Sequence, residues 1–450
     1  MKKDKTDHHT SQLSAPCSQL SLRWLPSLYF TKGLSQVVVM TLSVILYKQL
    51  GLTNGEITFY VAWLYLPWVI KPFWKPFVDR LQNRRWWILL TQVLLGAGIG
   101  GVAFTIQAQL WLQGSLCLFW LLAFASATHN EASDSLYRDR SLGNSVPLYA
   151  LVRNLSQKAA VLVGQGVLVM LAGNIQVLYR NFIRYSWSLV FYVVAGLFLA
   201  FFLYHLYALP RGEEGDSRPV PSSSVWGMVR EHIQSFSRQP NVGLILLLLL
   251  LFRLPEALLN KVSILFLIDS SRNGGLGLSP QEYGLVMGTV GILALSVGSV
   301  LGTKMIRSML RHSPFRARQN TSPLWWTACA MTLPDMVYVY LSYALPDSLL
   351  LVSLCVLIEQ MGYGFGFTLY LHFVNGITEN SSGSSHKDNP QITRSLVKAL
   401  MALSFMLPTM IAGTLQMRVG YRSFFVIVVL LCVVTFVVTS SINRRTKFPY

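Results

Sequence analysis

The sequence predicts an all-α membrane protein with twelve transmembrane helices in two bundles of six, and three observations predict this fold class. Only 12% of the 450 residues are charged and 52% are hydrophobic, whereas a soluble globular chain carries about 25% charged residues. Twelve apolar stretches are each long enough to cross a membrane, and basic residues cluster on alternate sides of them. Soluble multidomain enzymes and disordered chains are therefore excluded, because both need more charged surface.

A membrane-crossing helix needs about 20 mainly apolar residues. The spans predicted on this basis are 24–48, 56–75, 86–108, 112–137, 148–172, 186–208, 241–268, 280–303, 323–344, 347–374, 392–415 and 421–441. The loops between them are short, so no room is left for a soluble domain.

The predicted spans divide the chain into two bundles with polar segments around them. A tail over 1–23 precedes a bundle over 24–208, and a linker over 209–240 leads to a second bundle over 241–441 and a tail over 442–450. Prolines and a serine run mark the linker. The first tail has no apolar stretch of the kind that a cleavable signal peptide needs, so the first span is expected to direct membrane insertion.

Basic residues orient the predicted helices. With both termini in the cytoplasm, the cytoplasmic segments hold 24 of the 37 Lys and Arg residues and the outside segments hold 6. Cytoplasmic loops of membrane proteins carry this excess, and a missed or extra helix would scramble the alternation. Because the basic residues are spread over seven cytoplasmic segments with no single patch, nucleic-acid binding is not expected.

Twelve charged side chains remain inside the predicted spans. Each costs about 2.5–3.5 kcal/mol at the bilayer centre if it faces lipid, so such groups face a bundle interior and mark a pathway. Lys71 lies near a span end and could instead extend to the interface. Bases outnumber acids, which favours an anionic solute. The bases are Lys32, Lys71, Arg153, Lys158, Arg253, Lys261 and Lys398, and the acids are Glu131, Asp134, Glu256, Asp335 and Glu359.

The fourth span contains the densest polar group, ASATHNEASDS over 125–135. Glu131 and Asp134 are three residues apart and share a helix face. Two close carboxylates in a low dielectric cannot both ionise cheaply, so one is expected to carry a proton. These two residues are predicted to couple transport to protons, with Asn130 beside them in the binding site. The alternative is that each acid pairs with a nearby base, such as Arg153 or Lys158.

His129 and Asp134 also form an H-x4-D pattern, which acyltransferases use to activate an acceptor. Here the pattern lies inside an apolar helix and no domain for an acyl donor is present.

Two other spans carry structural signals. Pro255 removes a backbone hydrogen bond in the seventh span and predicts a break there, surrounded by Arg253, Glu256 and Lys261. Broken helices are where transporters build binding sites, although Arg253 and Glu256 could simply pair with each other. The tenth span has Glu359 followed by GYGFGFT over 362–368, whose glycines predict close helix packing.

Two bundles of six spans around a central loop resemble the major facilitator superfamily. The loop after the second span, VDRLQNRR over 78–85, is similar to the cytoplasmic gate motif of that superfamily. Lys75 replaces the glycine that the motif has four residues before its Asp. The matching residues are Asp79, Arg80, Arg84 and Arg85.

Longer strings resemble one branch, the AmpG-type permeases of the peptide/acetyl-CoA transporter family. They are WLYLPWVIKPFWKPFVDR (63–80), SATHNEASDS (126–135), LVGQGVLVMLAG (162–173), FRLPEALLNK (252–261), FLIDSSRNGGLGLS (266–279), GYGFGFT (362–368) and MALSFMLPTMIAGTLQ (401–416). The resemblance implies import of muropeptides, acetyl-CoA or siderophores, and in bacterial members a proton drive. The chain departs from the family pattern at Asn130, where the family has Asp, and at the start of the eleventh span around Lys398.

Together these observations predict a secondary active importer in the inner membrane, which works by alternating access on a small anionic solute such as a muropeptide. A siderophore or sugar-derivative importer of the same fold is the first alternative, and a membrane acyltransferase or a non-transporting sensor is the second. The expected partners are the lipid bilayer, the solute and protons. No cofactor or metal is expected, since the five cysteines show no paired spacing, and the protein is expected to be a monomer.

Overall fold

A computed structural model describes residues 17–74, 84–140, 146–180, 182–210, 242–311, 323–382 and 390–445, with a few positions between 227 and 237. These residues form helices and short connections, and no strand occurs among them. We label the helical segments α1 to α12 in chain order.

The first half contains α1 to α6. Two of these helices contain a π-helical turn, Val38–Leu42 in α1 and Leu162–Val167 in α5. The segments are α1 (Cys17–Val37, the π turn and Ser43–Gln49), α2 (Asn54–Trp63 and Leu66–Val69), α3 (Arg84–Thr105), α4 (Trp111–Arg140), α5 (Val146–Val161, the π turn and Leu168–Leu178) and α6 (Ile183–Ala208).

The second half contains α7 to α12. The last two are one continuous stretch, Pro390–Arg445, that Gly420 interrupts with φ 75° and ψ 167°. The segments are α7 (Val242–Leu251 and Leu254–Ile268), α8 (Pro280–Tyr283, the π turn Gly284–Gly291 and Ile292–Arg311), α9 (Pro323–Thr332 and Met336–Ala344), α10 (Leu349–Ser382), α11 (390–419) and α12 (421–445).

Nine helices in the described part of the chain are long and apolar enough to cross a membrane. One of them, Ser395–Ile442, includes both α11 and α12. The two remaining predicted spans, α2 and α9, are interrupted by short turns and so fall below that length. The all-α fold class is confirmed, and the helices are consistent with the twelve predicted spans.

The predicted break in the seventh span is present. The first helix of α7 ends at Leu251 and the second begins at Leu254, which places Pro255 in its first turn. A proline costs little there, because the first backbone N–H groups of a helix have no partner within the helix. The break allows polar side chains to approach the middle of the span.

The two halves contact each other through glycines. A Cβ atom on Gly288 of α8 would overlap the backbone of Gly166 in α5, and both residues lie in π-helical turns. At a second crossing, the backbone N–H of Gly413 in α11 donates to the Thr58 hydroxyl of α2 at 3.1 Å. The close packing predicted for 362–368 is also confirmed, since a Cβ on Gly364 would overlap the Leu295 backbone of α8.

Candidate functional site

Asp134 of α4 is the centre of a charged cluster in the first half. Its Oδ1 accepts hydrogen bonds from Lys32 Nζ at 2.5 Å and from the Tyr29 hydroxyl at 3.0 Å, both on α1. Lys398 of α11 lies 3.8 Å from the other carboxylate oxygen, with 58% of its own side chain exposed. Asp134 therefore contacts bases from both halves of the protein.

Glu131 is also paired with bases, but with different ones. Its carboxylate lies 2.8 Å from the Nζ of Lys71, which follows α2. It also lies 3.3 Å from Arg138, about two helical turns further along α4. Lys71 is 6% exposed, so the suggestion that its side chain extends to the membrane interface is wrong. The Glu131 carboxylate attracts it inward because a buried acid needs a counter-charge.

The structure thus brings the two predicted coupling residues together with lysines. The alternative of ion pairing describes the state seen here, but Lys32 and Lys71 supply the charges instead of Arg153 and Lys158. Arg153 is half-buried over the rings of Tyr29 and Tyr137, at 5.9 and 5.1 Å. Lys158 is also half-buried.

A chain of buried neutral polar groups lies beside this cluster. The Gln92 side-chain amide contacts His129 Nε2 at 3.3 Å and His205 Nδ1 at 2.7 Å, and His205 Nε2 contacts the Ser27 hydroxyl at 2.9 Å. His129 is fully buried. Asn130 is buried too, and its Oδ1 has no hydrogen-bond partner among the described residues.

The break in α7 carries the second cluster. Arg253 makes two hydrogen bonds of 2.8 Å to the Glu256 carboxylate and one of 3.1 Å to the Tyr363 hydroxyl. Its guanidinium also lies 4.2 Å from the ring centre of Phe405 and 4.7 Å from that of Phe367. The predicted pairing of Arg253 with Glu256 is therefore observed at the break.

Lys261 lies where the two halves meet. Its Nζ donates to the backbone carbonyl of Met40 in the π-helical turn of α1, at 2.6 Å, and lies 5.8 Å from the ring centre of Tyr65. The residue is 3% exposed. No carboxylate pairs with it in the part of the chain that the structure describes. It is therefore a buried cation without a counter-charge there.

Glu359 of α10 pairs with no base in the part of the chain that the structure describes. Its Oε2 accepts from Gln360 Nε2 at 2.8 Å and from the Tyr338 hydroxyl at 3.5 Å. Asp335, in the turn that interrupts α9, interacts electrostatically with Glu359 and Glu256. From the sequence, Asp335 is one of the acids inside the spans, and no pattern there assigns it to a site.

A polar network joins the halves at the end of the bundle that is predicted to face outside. Lys48 Nζ lies 2.8 Å from Asp269 Oδ2, which also accepts from the Tyr421 hydroxyl at 3.0 Å. Asn54 Nδ2 donates to Gln416 Oε1 at 2.8 Å. Burial raises the pKa of the Asp269 carboxyl, but hydrogen bonds from Lys48, Asn273 and Tyr421 outweigh it and leave the pKa below the ordinary value.

Half of the predicted gate motif can be located. Asp79 and Arg80 lie outside the described residues. Arg84 and Arg85 begin α3, and Arg85 donates to the backbone carbonyl of Leu206 near the end of α6. This contact ties α3 to α6 within the first half.

The residues of these clusters that the sequence did not indicate share one property. They have neutral side chains in apolar spans, and only the packing of their helices against charged side chains brings them into the clusters. These residues are Tyr29, Gln92, His205 and Tyr338. Lys48 and Asp269 lie at the ends of predicted spans, where charged residues are common. The signal for them was weak, because the two residues are far apart in the chain.

The chain matches a known protein family and two known permeases in sequence. The family model described as Major Facilitator Superfamily matches residues 27–385. The anhydromuropeptide permeases of Escherichia coli K12 and O157:H7 are each 29% identical over 255 residues. These matches cover 56% of this chain and 48% of each permease, so the chain aligns with about half the length of these relatives.

Solved structures share the fold at low identity. A POT family transporter in complex with a thioalcohol-conjugated peptide has a TM-score of 0.69 and 13% identity, over 95% of this chain and 97% of that one. A mutant of the nucleoside transporter NupG has a TM-score of 0.67 and 13% identity, over 94% and 99%. An inward-facing bacterial homologue of the lysosomal transporter Spinster has a TM-score of 0.65 and 14% identity, over 97% and 100%.

These matches are to membrane transporters and not to enzymes, as the sequence analysis expected. The resemblance to AmpG-type permeases is also supported, although at modest identity. The protein is therefore a multi-pass membrane transporter that belongs to the Major Facilitator Superfamily.

Proposed function

We propose that the protein imports a small anionic solute of the muropeptide class and that proton entry drives this import. The observation that carries the proposal is Lys261, a cation buried where α7 meets α1, with no carboxylate partner among the described residues. A buried charge without a partner is costly. An anionic solute bound between the halves would supply the missing counter-charge.

Other predicted binding residues support a polar solute at this interface. Tyr65 lies under the Lys261 ammonium and contacts the ring of Phe405 at 6.3 Å, which joins α2 to α11. Such rings suit the apolar faces of a sugar. In the proposed site, four bases attract the solute: Lys32, Arg153, Lys158 and Arg253. Asn130 offers an acceptor that has no partner among the described residues. Glu256 and Glu359 belong to the site from the second half.

Asp134 suits the coupling step, with Glu131 as its neighbour. The Asp134 carboxylate is bonded to Lys32 in its own half and lies 3.8 Å from Lys398 in the other half. Protonation removes the negative charge that holds both lysines. The two halves then lose an electrostatic contact, and the solute carboxylate gains access to Lys32. One proton and one anion are thereby bound together, as symport requires.

We infer the muropeptide class because the E. coli relatives are anhydromuropeptide permeases. A siderophore or an acidic sugar derivative is the alternative solute for the same site. The acyltransferase alternative is disfavoured because His129 is fully enclosed and hydrogen-bonded to Gln92. We further propose an inner-membrane location, cytoplasmic termini, a monomer and the boundaries 24–208 and 241–441 for the two bundles.

Uptake into proteoliposomes tests this proposal. Purified protein is reconstituted, and accumulation of anhydro-muropeptide, acidic sugars, a siderophore and acetyl-CoA is compared with and without an imposed inward proton gradient. We expect gradient-dependent accumulation of the muropeptide. Equal uptake with and without the gradient contradicts proton coupling, and accumulation of another solute alone contradicts the substrate class.

A further inference from the structure

The second half contains two buried carboxylates that pair with no base among the described residues. Asp335 is 6% exposed and Glu359 is 7% exposed, and each lies near the middle of its span. The other three acids inside the spans are all paired, Asp134 and Glu131 with lysines and Glu256 with Arg253. Within the described residues, Asp335 and Glu359 therefore differ from these three acids in having no ion-pair partner.

One carboxylate oxygen of Asp335 has no hydrogen-bond partner among the described residues. Asp335 ends the short 3-10 turn Leu333–Asp335, in which Pro334 interrupts α9. Its Oδ2 is buried, and no donor in the described part of the chain reaches it. An ionised carboxylate oxygen in this position would lose its hydration without compensation, which costs several kcal/mol.

The hydrogen-bond donors to Glu359 that the structure describes are both neutral. The Gln360 amide donates to its Oε2 at 2.8 Å, and the Tyr338 hydroxyl lies 3.5 Å from the same atom. The hydroxyl of Tyr283 on α8 interacts with Tyr338, is fully buried and has no hydrogen-bond partner in the described structure. The pocket therefore holds unused hydrogen-bonding capacity around two carboxyl groups.

Among the described residues, the titratable groups that interact electrostatically with Asp335 and Glu359 are acidic or neutral. Asp335 interacts electrostatically with Glu359 and Glu256 as acids and with the Cys432 thiol of α12. Glu256 comes from α7, and its charge is balanced by Arg253 through two hydrogen bonds. Because Arg253 is already bound in this way, it does not balance a second and a third carboxylate.

We propose that Asp335 and Glu359 form a proton-binding site in which at least one of the two carboxyl groups is protonated in this conformation. Two buried carboxylates in a low dielectric, without a paired base among the described residues, cannot both stay ionised cheaply, so a protonated carboxyl group is the less costly state. The site lies in the opposite half from Asp134. It depends neither on the identity of the solute nor on coupling at Asp134.

Infrared spectroscopy of the protein in lipid vesicles at pH 8, without solute, tests this proposal. We expect a C=O stretching band of a protonated carboxylic acid that shifts in D₂O and disappears in the D335N/E359Q variant. The D134N/E131Q variant is the control, and it should keep the band, because Asp134 and Glu131 are paired with lysines in the wild-type protein and so do not contribute to it. A band of equal intensity in wild type and D335N/E359Q overturns the proposal.

Carbodiimide labelling of the wild-type protein gives an independent readout if the double variant does not fold. The lipophilic reagent dicyclohexylcarbodiimide reacts with protonated carboxyl groups, and adducts are located by mass spectrometry. We expect an adduct on Asp335 or Glu359 and none on Asp134, Glu131 or Glu256. Where the double variant does not fold, absence of an adduct on both members of the pair overturns the proposal. Loss of transport in D134N changes neither readout, so the two proposals fail separately.

Discussion

Lys48 Nζ and Asp269 Oδ2 lie 2.8 Å apart and form an ion pair between the end of α1 and the residue that follows α7. The two side chains are 15% and 7% exposed. The residues are 221 positions apart in the chain and belong to different halves. With Asn54 and Tyr421, which also contact Asp269, this pair closes the end of the transporter that is predicted to face outside.

The first prediction concerns this closure. Asp269→Asn removes the charge that holds Lys48, and hydrogen bonds to charged groups contribute about 1.5–3 kcal/mol. We expect the population that is open at this end to rise by about tenfold or more. Spin labels at the exposed positions Gln107 and Asp347, in a background without the five cysteines, report the opening as a longer distance.

A charge exchange is the control for that experiment. The K48D/D269K variant restores an ion pair with reversed polarity, and the longer distance should become rare again. An unchanged distance distribution in Asp269→Asn would mean that the ion pair does not hold the two halves together.

The second prediction is the pH dependence of the same closure. The pKa of Asp269 lies below its ordinary value because of its hydrogen bonds. Its contribution to closure is therefore complete above the ordinary aspartate pKa, near 3.9, and is lost only as the pH falls through the lower folded-state value. We expect the spin-label distances to stay constant between pH 5 and 8. A change within this range would contradict the assignment.

The third prediction tests coupling at Asp134. Asp134→Asn cannot release or take up a proton at this position, and it weakens the attraction to Lys32 and Lys398. We expect proton-driven accumulation to be lost while exchange of internal for external solute continues. Uptake and counterflow in proteoliposomes measure the two activities, and Asp347→Asn in an exposed loop is the control. Full accumulation by Asp134→Asn would remove Asp134 from the coupling step.

The fourth prediction separates binding from stability at Lys261. Lys261→Met removes a buried cation without a carboxylate partner among the described residues, so the thermal stability should stay the same or rise. The KM for an anionic solute should rise by about tenfold or more, since a charged hydrogen bond is lost. Lys304→Met, at an exposed site on α8, is the control. A lower Tm with an unchanged KM would indicate a structural role only.

The fifth prediction concerns the glycine crossing between the halves. Gly288→Ala places a methyl group against the Gly166 backbone, and overpacking of this kind costs about 1–3 kcal/mol. We expect a smaller fraction of molecules in which α5 and α8 are in contact, and a lower transport rate. Gly196→Ala is a matched control, because nothing lies within 4 Å of a Cβ at that position. Equal transport rates in the two variants would show that the crossing tolerates separation.

The sequence by itself determined the helices and the positions at which they break. A bilayer leaves the backbone few alternatives to a helix, so the apolar length of each span is enough to predict it. Pro255 acts on its own helix, and the break at Phe252–Arg253 therefore followed from local chemistry. The glycines at 362–368 predicted close packing for the same reason, since a missing side chain is a local property.

Only the tertiary structure decided which charges are paired. Sequence spacing suggested that Glu131 and Asp134 share one environment, but the packing of α1 and α2 against α4 gives each its own lysine. It also leaves Lys261, Asp335 and Glu359 without ion-pair partners among the described residues. Ion pairing depends on distances of a few ångströms between different helices. Such distances are set by how helices pack and rotate against each other, and a hydrophobic pattern along one helix does not encode them.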